Sequence, residues 1–597
     1  MRIEERFRKL WQWDKVIGRV AASWVWFIVI ALTVWGDYKD LAFGQRYGLV
    51  IVGLGTLAGF ILFSLLGLAC QPYHSDSWLL MGGTAVCAWI WLVNAPTGNN
   101  GTLTWLAVTV VCALVLVWGV HVNRKVFCKW KPSRRTAVII GIVGAVVSCA
   151  VISVITCLRY KTFASPNFDF GLFVNMFHNM RESGLPMVTC ERDTLLSHFA
   201  VHISPIYYLL LPFYAIFPSP MTLQIGQAVA IMLGVIPVLL LAKHFKLSPR
   251  ATAAVALLYA FYPALSTSCF YDLHENCFLP LFLLLTFYFL EAKKPIPMYL
   301  SAICVLAVKE DAAMYLLIFA IYLVLSRKSY LHGALLGVLA GGWFYAAGEL
   351  LEIYGTGIMT YRYDNVIYDG GAGLMGAIKT ALINPGYLLT QTFTTAGGTW
   401  DKFAYVLQLL LPVACLPFCT KKASRWLLAA PMLLNLFTYY QYQFDMGFQY
   451  HFGVSAFLIY AMIQNLSELS KGWRRSMLAV ALASCFTLYA FAVVPTLNYY
   501  VDRHKEGKET YARMEQIMDE QIPKDASVNC STFLLAHLAD RSEIYEITYH
   551  KDQPDVDYVV IDVRYGDWRK TVNAYMAQGY EGVFYEKGTL AILKKVK

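Results

Sequence analysis

Apolar runs recur along almost the whole chain, most of them roughly 17 to 23 residues long, the length a helix needs to cross the hydrocarbon core of a bilayer. Inside hydrocarbon every backbone N–H and C=O must be bonded within its own segment, so runs of this kind permit helices and little else. Composition agrees: 58% of the residues are hydrophobic and 15% are charged, with a mean hydropathy of +0.50. The chain reads as an integral membrane protein. Its first apolar run, Ala21 to Trp35, is rich in Trp and Val and lacks a small-residue cleavage site, so it reads as a retained span.

The formal net charge is +10, but the basic residues cluster at alternate loops. They lie at Arg2 to Arg19, Arg124 to Arg135, Lys243 to Arg250, Lys293-Lys294, Arg327-Lys328, Lys421 to Arg425 and Lys471 to Arg475. That alternation is the positive-inside pattern and fixes an orientation, with the N-terminus cytoplasmic. The basicity is therefore topological, and nucleic acid is not an expected partner. Spans fit at 20–36, 48–70, 77–94, 104–121 and 136–157. Further ones fit at 222–242, 252–268, 277–291, 297–308, 312–326, 331–350, 403–419, 426–440, 454–469 and 476–494. The sum is about fifteen, an odd count that puts the C-terminal tail outside.

The tail alternates helical and strand patterns: a helix over Lys508–Pro523, strands near Ala526–Phe533, Glu543–Tyr549 and Val556–Val563, a helix over Trp568–Gly579, and a closing hairpin over Tyr580–Lys595. This predicts a small extracytoplasmic α/β domain over 501–597. Ahead of it stand an N-terminal extension of about four spans over 1–135 and a core over 136–500. Most of the 14 cysteines lie in or beside apolar runs as small hydrophobes, and a pairing of Cys190 with Cys269 stays open.

The outer loops concentrate ionisable groups at membrane depth: Asp169, His198, His202, Asp272, His274, Glu275, Lys309, Glu310, Asp311, Asp445 and His451. Charge beside hydrocarbon is costly and marks sites or pathways. Each also has a plainer role. Asp169 opens the stretch Leu172 to Glu182, whose spacing suits a helix along a membrane surface, and its carboxylate suits a helix cap. His198 and His202, four apart, fit either zinc ligation or interfacial bonding. Asp272, His274 and Glu275 suit a solvated turn. Lys309-Glu310-Asp311 suits a turn whose charges pair among themselves, and Tyr450-His451 an aromatic belt. A second amphipathic stretch, Pro205 to Pro220, reads as a surface helix, and the glycine-rich segment Glu352 to Lys402 as a mobile flap.

The segments "NFDFGLFVNMFHN", "HFAVHISPIYYLLLPFYAIFPSP", "YDLHEN", "AVKEDAAMYL" and "QYHF", with the tail segment "IPKDASVNCSTFLLAHLADR", resemble the DUF2079 membrane family from about Val138 to Arg564. That family is in turn distantly similar to GT-C glycosyltransferases. The resemblance implies an all-α polytopic membrane protein with a GT-C-like core. It would use a polyprenyl-phosphate sugar donor and an envelope acceptor at the outer face of a plasma membrane. Asp169 would be the catalytic base. His198, His202, Asp272, His274, Glu275, Lys309, Glu310, Asp311 and His451 would bind substrate, Lys309 holding the phosphate. Asn167 stands where an acidic pair would need a second carboxylate, so no metal ligands are assigned; a divalent cation is admitted as a cofactor but not required. The rival expectation is a transporter or flippase for a lipid-linked substrate.

Overall fold

The computed structural model describes residues 10–35, 48–69, 75–94, 102–123, 131–192, 194–355, 357–371, 373–394, 400–547 and 555–596. Apolar side chains on all sides of most segments leave the backbone to bond internally, and the chain is mostly helical. Among the described residues five helices are long and apolar enough to cross a membrane: Leu49–Ala69, Arg134–Lys161, Pro220–His244, Tyr330–Tyr354 and Lys471–Gln521.

Several other expected spans are shorter than a bilayer. The segments near 252, 297 and 312 are the helices Pro249–Ala260, Pro295–Leu306 and Ala313–Leu325. At 12, 12 and 13 residues, each is about 18–20 Å long. Proline explains many of the stops, since it lacks the N–H that would continue the ladder: Pro263 opens a new short helix after Pro249–Ala260, and Pro412, Pro417 and Pro431 divide the stretch near 403–440. Within Pro220–His244 the ladder breaks at Leu233 and Gly234. The Tyr259 hydroxyl donates at 2.6 Å to the Ile231 carbonyl, which also accepts from the Gly234 N–H at 3.0 Å. A Cβ on Gly234 would lie 1.9 Å from that hydroxyl, so glycine is required there.

Of the four N-terminal helices, Trp13–Trp35, Leu49–Ala69, Ser75–Asn94 and Thr102–Val122, the first three are clasped by a buried Arg19–Asp76 ion pair. Arg19 Nε and Nη2 each donate to the Asp76 carboxylate at 3.0 Å, and Nη1 reaches Ser64 Oγ at 3.0 Å. The two bonds to one carboxylate make this a fork-to-fork pair.

The last long helix, Lys471–Gln521, has 51 residues, about 77 Å of rise. It runs without a break into the tail, so the helix expected at Lys508 is its continuation rather than a separate element. Two short strands between Arg134–Lys161 and Pro220–His244, β1 (Met187–Val188) and β2 (Leu196–Ser197), pair antiparallel. The tail contributes β3 (Val528–Cys530), β4 (Ile544–Glu546), β5 (Tyr558–Asp562), β6 (Tyr580–Tyr585) and β7 (Leu590–Lys595) in the order β4-β3-β5-β7-β6. β3 is parallel to β4 and β5, while β7 is antiparallel to β5 and β6.

This sheet domain covers the segment that follows Arg134–Lys161, which changes one expectation. The helix Leu172–Ser183 does not lie open on a surface: its apolar residues Leu172, Phe173, Met176, Phe177 and Met180 are buried, and so is Asn175 on its polar side. The Asn175 amide donates to the Arg541 and Ala539 carbonyls of the tail at 2.8 and 3.3 Å. Thr189 Oγ1 donates to the Ile544 carbonyl at 2.7 Å, and the His537 ring is sandwiched between Tyr160 and Phe163. The segment expected to be a mobile flap contains the turn Thr360–Val366 and the helices Gly373–Ile383 and Pro385–Thr392; Gly397-Gly398 lie outside the described residues. Cys190 and Cys269 are buried and form no disulfide with each other.

Candidate functional site

Asp169 sits in a wide turn, Asn167–Gly171, between Arg134–Lys161 and Leu172–Ser183, and the Phe168–Asp169 peptide is cis. The turn is braced from outside by the tail, where Thr532 Oγ1 accepts from the Asn167 N–H at 3.1 Å. A Cβ on Gly171 would stand 2.7 Å from Leu535 Cδ2, so the missing side chain is what lets the tail come so close.

Asp169 does not cap a helix. Its Oδ2 is hydrogen-bonded to His274 Nε2 at 2.6 Å, with the imidazole 4% and the carboxylate 33% exposed. The carboxylate thus faces outward from a buried ring. Burial pushes the Asp169 carboxyl up, but the His274 charge and hydrogen bond, helped by Lys309, more than reverse this and hold it below the usual range. Burial likewise pulls the His274 imidazole down, and Asp169 overcomes it, so the ring is raised above its ordinary value. The two groups favour the ion pair in each other.

The next residue extends the cluster. Glu275 Oε1 lies 3.3 Å from Lys309 Nζ, both side chains buried, and Glu275 Oε2 accepts from the Tyr207 hydroxyl at 2.7 Å. Burial opposes the charge on Glu275, yet Lys309 first and His274 second hold its carboxyl well below the usual range. Lys309 is raised against its burial by Glu275, Asp311 and Glu310. The charges of Lys309-Glu310-Asp311 therefore pair with other loops rather than among themselves. Glu310 takes His202 Nδ1 at 2.9 Å and the Ile203 N–H at 3.2 Å. Asp311 is exposed.

The two histidines expected to act together do not share a ligand. His198 Nδ1 pairs with Glu191 Oε2 at 2.9 Å, while His202 pairs with Glu310. Among the described residues no three His, Cys, Asp or Glu side chains are arranged to hold a metal ion. Each carboxylate of the cluster is already engaged by a cation or imidazole, apart from the exposed Asp311. The residues do not fit a divalent cation.

Two expected substrate ligands are placed elsewhere. Asp272 is fully buried, with a left-handed φ of 87°, and is saturated by Arg159 Nε at 3.0 Å, Ser165 Oγ at 2.9 Å and Gln224 Nε2 at 2.5 Å. It locks the helix Arg134–Lys161 to the loop rather than facing a ligand. His451 is buried, its Nε2 hydrogen-bonded to the Asp445 carbonyl at 2.5 Å, and burial lowers it to about 4. A neutral ring so placed offers no charge to a phosphate. Tyr207, Glu191 and Arg159 are participants that no sequence spacing marked.

The pieces that converge are Asp169, His274, Glu275 and Lys309, flanked by His202, His198 and Glu310: an outward carboxylate with a buried cationic backing. Such a group can accept a proton from a hydroxyl held against it.

Comparison with known proteins follows the same segments. The family described as a predicted membrane protein (DUF2079) matches residues 159–579, from the end of the helix carrying Arg159 into the tail. No curated protein matches the sequence. Solved structures of ArnT from Cupriavidus metallidurans, one bound to undecaprenyl phosphate and one in the apo state, are similar over 76% of this chain and 98% of theirs. Their sequence identity is 11%, with TM-scores of 0.46 and 0.45.

Proposed function

The chain belongs to the DUF2079 family of predicted membrane proteins, and we propose that it is a membrane glycosyltransferase. It moves a sugar from a polyprenyl-phosphate donor to a hydroxyl of an envelope acceptor, on the outer face of the plasma membrane. The observation that carries this reading is the Asp169–His274 pair, one partner exposed to an incoming group and the other buried behind it. Basic loops on the opposite side support the orientation.

In the proposed reaction the acceptor oxygen attacks the anomeric carbon and forms the new C–O bond. The bond from that carbon to the donor phosphate oxygen breaks, its electron pair leaving with the phosphate. The configuration at carbon inverts, and the acceptor proton passes to Asp169 Oδ. His274 holds the carboxylate in place and charged before the proton arrives. Lys309, held in place by its pair with Glu275, is a largely neutralised neighbour of the leaving phosphate. His198, His202 and Glu310 shape the polar wall beside it, and Asp311 is available to sugar hydroxyls. No metal is required.

The test is mass spectrometry of polyprenyl-linked lipids and envelope glycans from cells with the gene, without it, and carrying Asp169→Asn. Loss of one envelope sugar with accumulation of its lipid-linked donor in both altered strains is expected. An unchanged glycan profile in the Asp169→Asn strain would refute the role of Asp169. A donor lipid that changes sides of the membrane with no change in transfer would favour the flippase.

A further inference from the structure

The cationic and imidazole groups of the cluster are each matched by a carboxylate: His274 by Asp169, Lys309 by Glu275, and His202 by Glu310. Glu310 and Asp311 add negative charge beside Lys309. A phosphate arriving there meets acids that already outnumber the free cations, and like charges at a few ångströms repel by several kcal/mol at an effective dielectric of about 20. A phosphate subsite therefore needs a cation that is not already committed.

Arg362 is that cation. It lies in the turn Thr360–Val366, and no carboxylate among the described residues pairs with it. Its Nη1 donates to the Tyr450 hydroxyl at 3.3 Å, Nη2 meets the weak acceptor Met359 Sδ at 3.2 Å, and the guanidinium lies 4.1 Å over the Tyr440 ring. Nε is buried without a partner. The Tyr361 hydroxyl is a further hydrogen-bond partner, so the guanidinium is held by phenols, a thioether and a ring face but by no carboxylate among the described residues, and its fork suits phosphate oxygens.

Its position is built by other loops. Thr438 Oγ1 donates to the Arg362 carbonyl at 2.8 Å, and Gln443 Nε2 donates to the Tyr363 hydroxyl at 3.1 Å. The two tyrosines connect Arg362 to the cluster. Burial raises both the Tyr440 and Tyr450 phenols, Asp169 raises them further, and Arg362 opposes it; at Tyr450 Lys309 opposes it too. A chain of ring contacts makes the same connection, from Tyr440 to Tyr442 at 5.1 Å, to Phe448 at 4.5 Å, to Tyr271 at 4.5 Å and to His274 at 6.0 Å between centroids.

We propose that Arg362, with the Tyr450 hydroxyl, is the direct ligand of a phosphate ester at this site, with Lys309 a positioned and largely neutralised neighbour. This rests on the reading of the substrate as a polyprenyl phosphate and supplies the contact that reading lacks.

The probe is farnesyl phosphate, with farnesol and inorganic phosphate as companions, bound to the purified full chain in dodecyl maltoside. Wild type is expected to bind farnesyl phosphate at least ~tenfold more tightly than farnesol, and Arg362→Ala to lose at least ~tenfold in affinity for the phosphate while binding farnesol as before. Arg362→Lys keeps the charge without the fork. It should lose at least ~threefold, which preserves the test if the alanine variant unfolds. Displacement of farnesyl phosphate by millimolar inorganic phosphate would identify the free ion as a second source of the same chemistry; lack of displacement would assign the site to the lipid ester. Equal binding of farnesyl phosphate by wild type and both variants would overturn the proposal, as would a wild type that does not distinguish farnesyl phosphate from farnesol. A chain that binds by this pattern yet transfers no sugar overturns the transferase reading and leaves the subsite standing. Transfer by wild type and Arg362→Ala alike, with equal binding, overturns the subsite alone.

Discussion

Replacing Glu275 by alanine leaves the Lys309 ammonium buried opposite nothing. The pair lies at 3.3 Å with side chains 8% and 2% exposed. Coulomb attraction at that distance is about 5 kcal/mol for an effective dielectric of 20, and removing one partner of a buried pair costs about 3–5 kcal/mol. The same substitution takes away the acceptor of the Tyr207 hydroxyl, adding about 1 kcal/mol. Glu275→Ala is therefore expected to lower stability by about 4–6 kcal/mol. The assay is unfolding of the full chain in bicelles by SDS titration, followed by circular dichroism. The double variant Glu275→Leu with Lys309→Met removes both charges and should recover most of the loss while abolishing sugar transfer. A Glu275→Ala protein as stable as wild type would refute the reasoning, as would a double variant less stable than either single one.

Three further outcomes follow from the same coordinates. The His274 imidazole, raised by Asp169 against its burial, stabilises the fold fully below about pH 6.5 and loses that contribution as pH rises through its raised value. The lowered Asp169 carboxyl contributes above about pH 4 and loses it as pH falls through its lowered value. Melting temperature measured from pH 5 to 9 should thus fall on the alkaline side in wild type and flatten in His274→Gln; parallel curves would contradict the pair. Gly171→Val drives a side chain towards Leu535 and should cost about 1–3 kcal/mol, partly relieved by Leu535→Ala, as read by thermal unfolding. Arg19→Leu strands Asp76 in the N-terminal helices and should destabilise by about 3–5 kcal/mol, with Arg19→Leu/Asp76→Leu closer to wild type in SDS titration.

Much of this arrangement was legible in the residues and some was not. The apolar runs identify helices, and the gaps between them the loops that carry the acids and histidines, because helix formation in hydrocarbon is a local decision. Pairing is not local. Asp169 and His274 are 105 residues apart, and Asn175 and Arg541 are 366 apart. Nothing in either segment encodes that they meet. Asp272 illustrates the limit: two residues from His274, it looks like part of one acidic turn, but its left-handed backbone turns it to Arg159 and away from the cluster. His451 likewise has the chemistry of a ligand and the surroundings of a core residue. The tail's cover over Leu172–Ser183 needed the sheet's docked position, since the helix alone has the spacing of an interfacial one. Arg362 carried no signal, because one arginine in a glycine-rich segment is ordinary until its missing partner is seen.

The most direct measurement is sugar transfer from a radiolabelled polyprenyl-phosphate donor to envelope acceptor in membranes carrying wild type, Asp169→Asn or His274→Gln. Wild type should transfer, Asp169→Asn should fall by at least about a hundredfold with donor binding intact, and His274→Gln should lie between them. Transfer by Asp169→Asn at the wild-type rate would contradict the account.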